Sequence, residues 1–118
     1  MADGKVRLAV ASSDGIVVNQ HFGHAKQFYI YEVENGQINV TEVRDAVPVC
    51  QGGFHDDGEM DAAMKNLEDC TYLLVSRIGP GAAAVAEQHG LEVYELPGLI
   101  QDSIQKVQDY EALKKLLS

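Results

Sequence analysis

The stretch Gln27-Phe28-Tyr29-Ile30-Tyr31-Glu32-Val33-Glu34-Asn35-Gly36-Gln37-Ile38-Asn39-Val40-Thr41-Glu42-Val43 decides the fold. Its first part is rich in aromatic and β-branched residues, which favour a pleated, half-buried strand. Asn35-Gly36 then falls between that run and residues 38–43. Asn-Gly is the pair that a two-residue type I′ turn selects, because both central positions need positive φ. Two antiparallel strands joined by a tight hairpin are therefore expected.

Working outward, residues 6–12 form a small apolar run broken by Ser12-Ser13-Asp14-Gly15, which reads as the first strand. Beyond the hairpin, Met60, Ala63, Met64 and Leu67 recur at helical spacing behind Asp57 as a cap, and residues 72–76 make a short buried strand. Gly79-Pro80-Gly81 opens a second helix, with Ala83, Val85 and Ala86 as a small-residue face. Gly90 ends it before a strand at residues 91–94. Ile100, Ile104, Val107, Leu113 and Leu117 predict a closing helix, interrupted near Asp109, which could cap a second segment. The order is βββαβαβα. Right-handed crossovers would place strands four and five beside strand one, on the side away from the hairpin. The expectation is an α/β, ribonuclease H-like motif: a five-stranded mixed sheet of order 3-2-1-4-5, flanked by helices.

At 118 residues, with 46% hydrophobic and 23% charged residues, one domain spanning the chain is expected. No run approaches the roughly 18 apolar residues of a spanning helix. Residues 1–5 lack the features of a secretory signal, so a soluble, cytoplasmic protein is expected. The formal net charge of -9 opposes nucleic acid or an anionic membrane as partner. Of the two cysteines, Cys70 sits at a helix end in apolar surroundings and is expected to be buried. Both are read as thiols.

The predicted topology gathers residues 12–26, residues 50–55, residues 77–81 and Pro97-Gly98 at one sheet edge, where ligands of open α/β sheets bind. Asn19-Gln20-His21-Phe22-Gly23-His24 contains His-x-x-His, whose neutral imidazoles can ligate iron, copper or zinc. They can equally be solvated loop histidines with Phe22 as a core anchor. Cys50, in Val49-Cys50-Gln51-Gly52-Gly53-Phe54-His55, offers a thiolate among glycines that admit a bulky ligand, or a spare thiol on a flexible loop. Residues 46–58 form a long loop of the kind that is more often functional than connective. At Arg77-Ile78-Gly79-Pro80-Gly81, amides, helix dipole and guanidinium favour an anion. The same glycines also suit a turn that needs them for backbone angles alone. Lys26 is one more surface cation on a loop. No Walker lysine is present. Asp14 is the one acid near the end of strand one, too few for a two-metal nuclease. The acidic run Asp56, Asp57, Glu59, Asp61 is accounted for by a helix start.

Residues 6–33, with Ala11-Ser12-Ser13-Asp14-Gly15 and Val18-Asn19-Gln20-His21-Phe22-Gly23-His24-Ala25-Lys26, resemble the dinitrogenase iron-molybdenum cofactor biosynthesis family, which includes NifX, NafY and the C-terminal domain of NifB. The resemblance runs through Arg77-Ile78-Gly79-Pro80-Gly81-Ala82 and Gly90-Leu91-Glu92-Val93-Tyr94. The loop around Val49-Cys50-Gln51-Gly52-Gly53 is most similar to the NifB-type domain. The resemblance implies a non-enzymatic domain that binds and carries an iron-sulfur precursor cluster or the iron-molybdenum cofactor between cofactor assembly proteins. His21 matches the family histidine associated with cluster binding; His24 and Cys50 are further candidate metal ligands. Arg77, Gly79 and Gly81 are candidate cofactor contacts. A radical-SAM cysteine motif is absent from this chain, so assembly of the precursor is not expected here. A monomer is expected, either a stand-alone relative or an excised domain. An interaction module of cofactor assembly, a carrier of another metal, and a weak magnesium-dependent hydrolase are the alternatives.

Overall fold

The computed structural model describes residues 5–46 and 57–117. The Asn-Gly turn is where expected: Asn35 has φ 55° and Gly36 φ 80°, and Glu34 faces Gln37 across the hairpin. The strands it joins are β3 (Gln27–Glu34) and β4 (Gln37–Asp45). Before them come β1 (Val6–Ala11), β2 (Val17–Val18) and a three-residue 3-10 turn at Phe22–His24. After them come α1 (Asp57–Lys65), β5 (Tyr72–Val75), α2 (Pro80–Gln88), β6 (Glu92–Glu95), β7 (Gly98–Leu99) and α3 (Ile100–Leu117).

The main sheet runs β4-β3-β1-β5-β6. β1 is antiparallel to β3 and parallel to β5, and β6 continues the parallel side. The five-stranded mixed α/β sheet flanked by helices is thus present. Its central strand explains the unbroken apolar run of β1: Ala9 and Ala11 face the layer containing α1 and α2, while Leu8 and Val10 face α3. Leu73 and Val75 divide from Leu74 in the same way. Met64, Leu67 and Ala86 close one layer, and Ile100, Ile104 and Val107 the other, all at most 2% exposed.

Three sequence expectations need correction. α3 is continuous through Asp109, whose carboxylate accepts from the Gln105 side-chain amide one turn earlier at 3.1 Å and so caps nothing. Only the first half of that helix is buried; Leu113 and Leu117 are 53% and 79% exposed. The described part of α1 begins at Asp57, and Leu67 lies in the turn that follows the helix rather than on it. The alternation rule also passed over β2 and β7, which are too short to show a period. They pair antiparallel, Val17 with Leu99 and Val18 with Gly98. Among the described residues no helix is long and apolar enough to cross a membrane.

On the open edge, β4 carries a register irregularity opposite Ile30 and Tyr31, where the Thr41 hydroxyl donates to the Ile30 carbonyl at 3.2 Å. Such a bulge twists an edge strand away from further pairing.

Candidate functional site

The site begins with the loop that leaves β1. Ser12 is fully buried, and its hydroxyl accepts the Gly15 amide at 2.9 Å. The Asp14 carboxylate accepts the amides of Ile16 at 2.9 Å and Val17 at 3.2 Å, an Asx turn. Those backbone donors hold the Asp14 carboxyl below its ordinary range. Asp14 therefore shapes the loop. Ser13 and Asn19 close it further, with the Asn19 side-chain oxygen taking the Ser13 amide at 3.0 Å and its nitrogen donating to the Ser13 hydroxyl at 2.9 Å.

From there the chain runs beside the end of β5. The Ser76 amide donates to the Gln20 carbonyl at 3.0 Å, the Phe22 amide to the Arg77 carbonyl at 2.9 Å, and His21 bridges Arg77 in parallel fashion. Phe22 is 6% exposed and packs on Phe28, ring centroids 6.0 Å apart, which anchors the turn in the core. In a tight 3-10 turn, residues three apart lie on one side. His21 and His24 accordingly emerge together and exposed, their rings edge-on with centroids 5.7 Å apart. The His24 amide donates to the His21 carbonyl at 3.0 Å and locks that spacing.

Facing them is the turn from β5 into α2. Gly79 is the N-cap of α2 at φ -72° and ψ 156°, and Pro80 starts the helix. Neither Gly79 nor Gly81 has the positive φ that would demand glycine, and a Cβ at either would meet nothing within 4 Å. Backbone angles alone thus do not account for them; the missing side chain at Gly79 keeps the wall of a cleft low. That cleft, of about 430 Å³, is lined by His21, Gly23, His24, Arg77, Gly79 and Glu95, among others. The structure brings together four of the expected residues: His21, His24, Arg77 and Gly79. Gly81 does not line the cleft, being one residue into the helix. Cys50 and His55 lie outside the described residues. Lys26 lies exposed after the turn and does not line the cleft either.

Arg77 is exposed and has no ion pair among the described residues, whereas Lys5, Arg7, Arg44 and Lys114 are all paired with carboxylates. Glu95 is the residue that sequence reasoning missed: its carboxylate accepts the Ile78 amide at 2.8 Å. Its signal was its place as the last residue of the last parallel strand, at the ligand-binding edge of the sheet.

Among the described residues no group of three or more His, Cys, Asp or Glu is arranged to hold a metal ion. The cleft's own donors among the described side chains are two imidazoles and one guanidinium. Cys70 contributes nothing here: it is buried against the core, and burial pushes its thiol up to about 12.

The architecture is that of a small α/β unit with a cleft at the carboxyl edge of its sheet. Residues 4–110 match the family described as dinitrogenase iron-molybdenum cofactor, and the chain belongs to that family. It is 36% identical over 105 residues to the FeMo cofactor biosynthesis protein NifB of Frankia alni, covering 86% of this chain and 21% of that protein. It is 30% identical over 112 residues to NifB of Chlorobaculum tepidum, covering 93% of this chain and 26% of that protein. The chain therefore spans about a quarter or less of the length of these curated relatives. The apo orange protein of Desulfovibrio gigas has the same fold, with a TM-score of 0.65 at 24% identity over 92% of this chain and 91% of that one.

Proposed function

We infer that this chain binds and carries an iron-sulfur precursor cluster or the iron-molybdenum cofactor during nitrogenase cofactor biosynthesis, and that it holds this cargo without transforming it. The family match and the NifB relatives support a role in FeMo-cofactor biosynthesis. The observation that carries the finer reading is the cleft in which the paired His21 and His24 face the uncommitted Arg77 across the start of α2. Neutral imidazole suits iron, and a guanidinium beside free helix-start amides suits the negative charge of a sulfide-bridged cluster. Cys50 is a further proposed thiolate on sequence grounds. A holding site needs affinity and a route for release, and the exposure of both histidines supports hand-over to assembly proteins.

A hydrolytic alternative loses its one candidate acid, since Asp14 is committed to backbone amides. The test is an anaerobic titration of the purified chain with isolated precursor cluster, read by visible absorption and iron analysis. Stoichiometric uptake by the native chain, weakened at least about tenfold in His21→Ala, is the expected outcome. Equal uptake by both proteins would remove His21 from the site. No uptake by either would move the reading to an interaction module.

A further inference from the structure

The cleft beside His21 already contains an anion of its own. Glu95 ends β6, and its carboxylate lies on the Ile78 amide, the donor just ahead of the α2 N-cap. The turn has other ties besides that bond. The Leu96 amide donates to the Val75 carbonyl at 3.0 Å and fixes the end of β6, while the Phe22 amide holds the Arg77 carbonyl from the other side. The carboxylate also leaves Arg77 alone, although both line the same cleft.

We propose that Glu95 is a specificity-determining residue of this cleft, an internal competitor that keeps small anions off the Ile78 amide and yields to a cargo large enough to engage His21, His24 and Arg77 together. This rests on the cargo-holding reading of the site. A tethered carboxylate competes at the effective concentration of an intramolecular group, which a small anion in dilute solution cannot match. Its charge also repels any anion nearby. A small anion would gain one amide and meet that repulsion. A bulky cargo exchanges the same single contact for several, so its net loss is slight. The sequence places glutamate, rather than a neutral side chain, at the end of β6, where it meets the Ile78 amide just ahead of α2.

The experiment follows the Ile78 amide resonance of the full ¹⁵N-labelled chain during titration with sodium sulfate at constant ionic strength. Native protein is compared with Glu95→Gln, which keeps an acceptor but no charge, and Glu95→Ala, which keeps neither. Sulfate should shift Ile78 with a Kd at least roughly tenfold lower in Glu95→Ala than in the native chain, with Glu95→Gln between them. The same three proteins are then titrated with precursor cluster, and Glu95→Ala should bind it a fewfold more tightly. Absence of a sulfate response at Ile78 in Glu95→Ala would overturn the proposal. So would weaker cluster uptake in that variant, which would make Glu95 a cargo contact. A sulfate response as expected, with no cluster uptake by any of the three, would leave Glu95 as a barrier to small anions and sink the cluster reading alone.

Discussion

Arg44 and Arg77 are both arginines at the margin of the same sheet, and their surroundings are opposite. Arg44, on β4, donates to the Asp69 carboxylate at 2.8 Å, to the Asn66 carbonyl at 2.7 Å and to Glu42 at 3.0 Å. Arg7 joins from β1 through Glu32 and Asp69. This network staples the turn after α1 to the open edge of the sheet, and it holds the Asp69 carboxyl below its ordinary range, chiefly through Arg44. Arg77 has no ion pair among the described residues. In an acidic chain, where carboxylates outnumber cations by 18 to 9, Arg77 stands without a carboxylate partner among the described residues in the cleft that His21 and His24 line. The contrast separates charge that fastens the fold from charge that is offered outward.

The largest effect on this contrast should come from the residue that joins the two roles. Phe22→Ala removes a buried aromatic and should cost about 3 to 5 kcal/mol of stability in urea unfolding. It should also lower cluster uptake, because the histidines on either side lose their anchor. A smaller effect separates the arginines. Arg44→Ala should cost about 1 to 3 kcal/mol by leaving a carbonyl and carboxylates unpaired, with cluster affinity unchanged. Arg77→Gln should leave stability within about 0.5 kcal/mol and weaken cluster affinity several-fold. If the two variants affected stability alike, the division into fastening and offered charge would be wrong.

The smallest effect concerns pH. His89, at the C-cap of α2, lies between Glu68, which contacts its Nδ1, and Asp61 of α1, 3.1 Å from its Nε2. Glu68 first and Asp61 second raise its pKa above the ordinary 6.5. A raised folded-state pKa gives stability that is complete below the unfolded value and is lost as pH rises through the folded value. Tm should therefore fall on going from pH 6 toward the alkaline side, and His89→Gln should flatten that limb. A slope unchanged in the variant would assign it to other groups.

Much of the fold could be read from local pattern. Asn35-Gly36 specified the hairpin because few dipeptides tolerate two successive positive φ values, and Gly79-Pro80 marked the start of α2 because proline suits the first helical turn. The His-x-x-His spacing was visible in the sequence, and the 3-10 turn brings the two rings to 5.7 Å. Other features depended on partners distant in the chain. β2 and β7 are too short to carry a period and exist because residues on the two segments meet across the fold. Asp109 looked like a helix start because aspartate caps well, yet the continuing helix kept its backbone donors satisfied. Glu95 was invisible as a site residue because its role follows from an amide in a different loop.

The small β2–β7 clasp bears on when the site comes into being. The Ile100 amide donates to the Ile16 carbonyl at 2.9 Å, so the loop leading to His21 is tied to the first residue of α3. A contact between segments so far apart closes a long loop and forms late, after the local hairpin has zipped. During synthesis the edge that presents the histidines cannot be completed until the start of α3 has emerged. An unfinished chain thereby exposes His21 and His24 without the frame that holds them together.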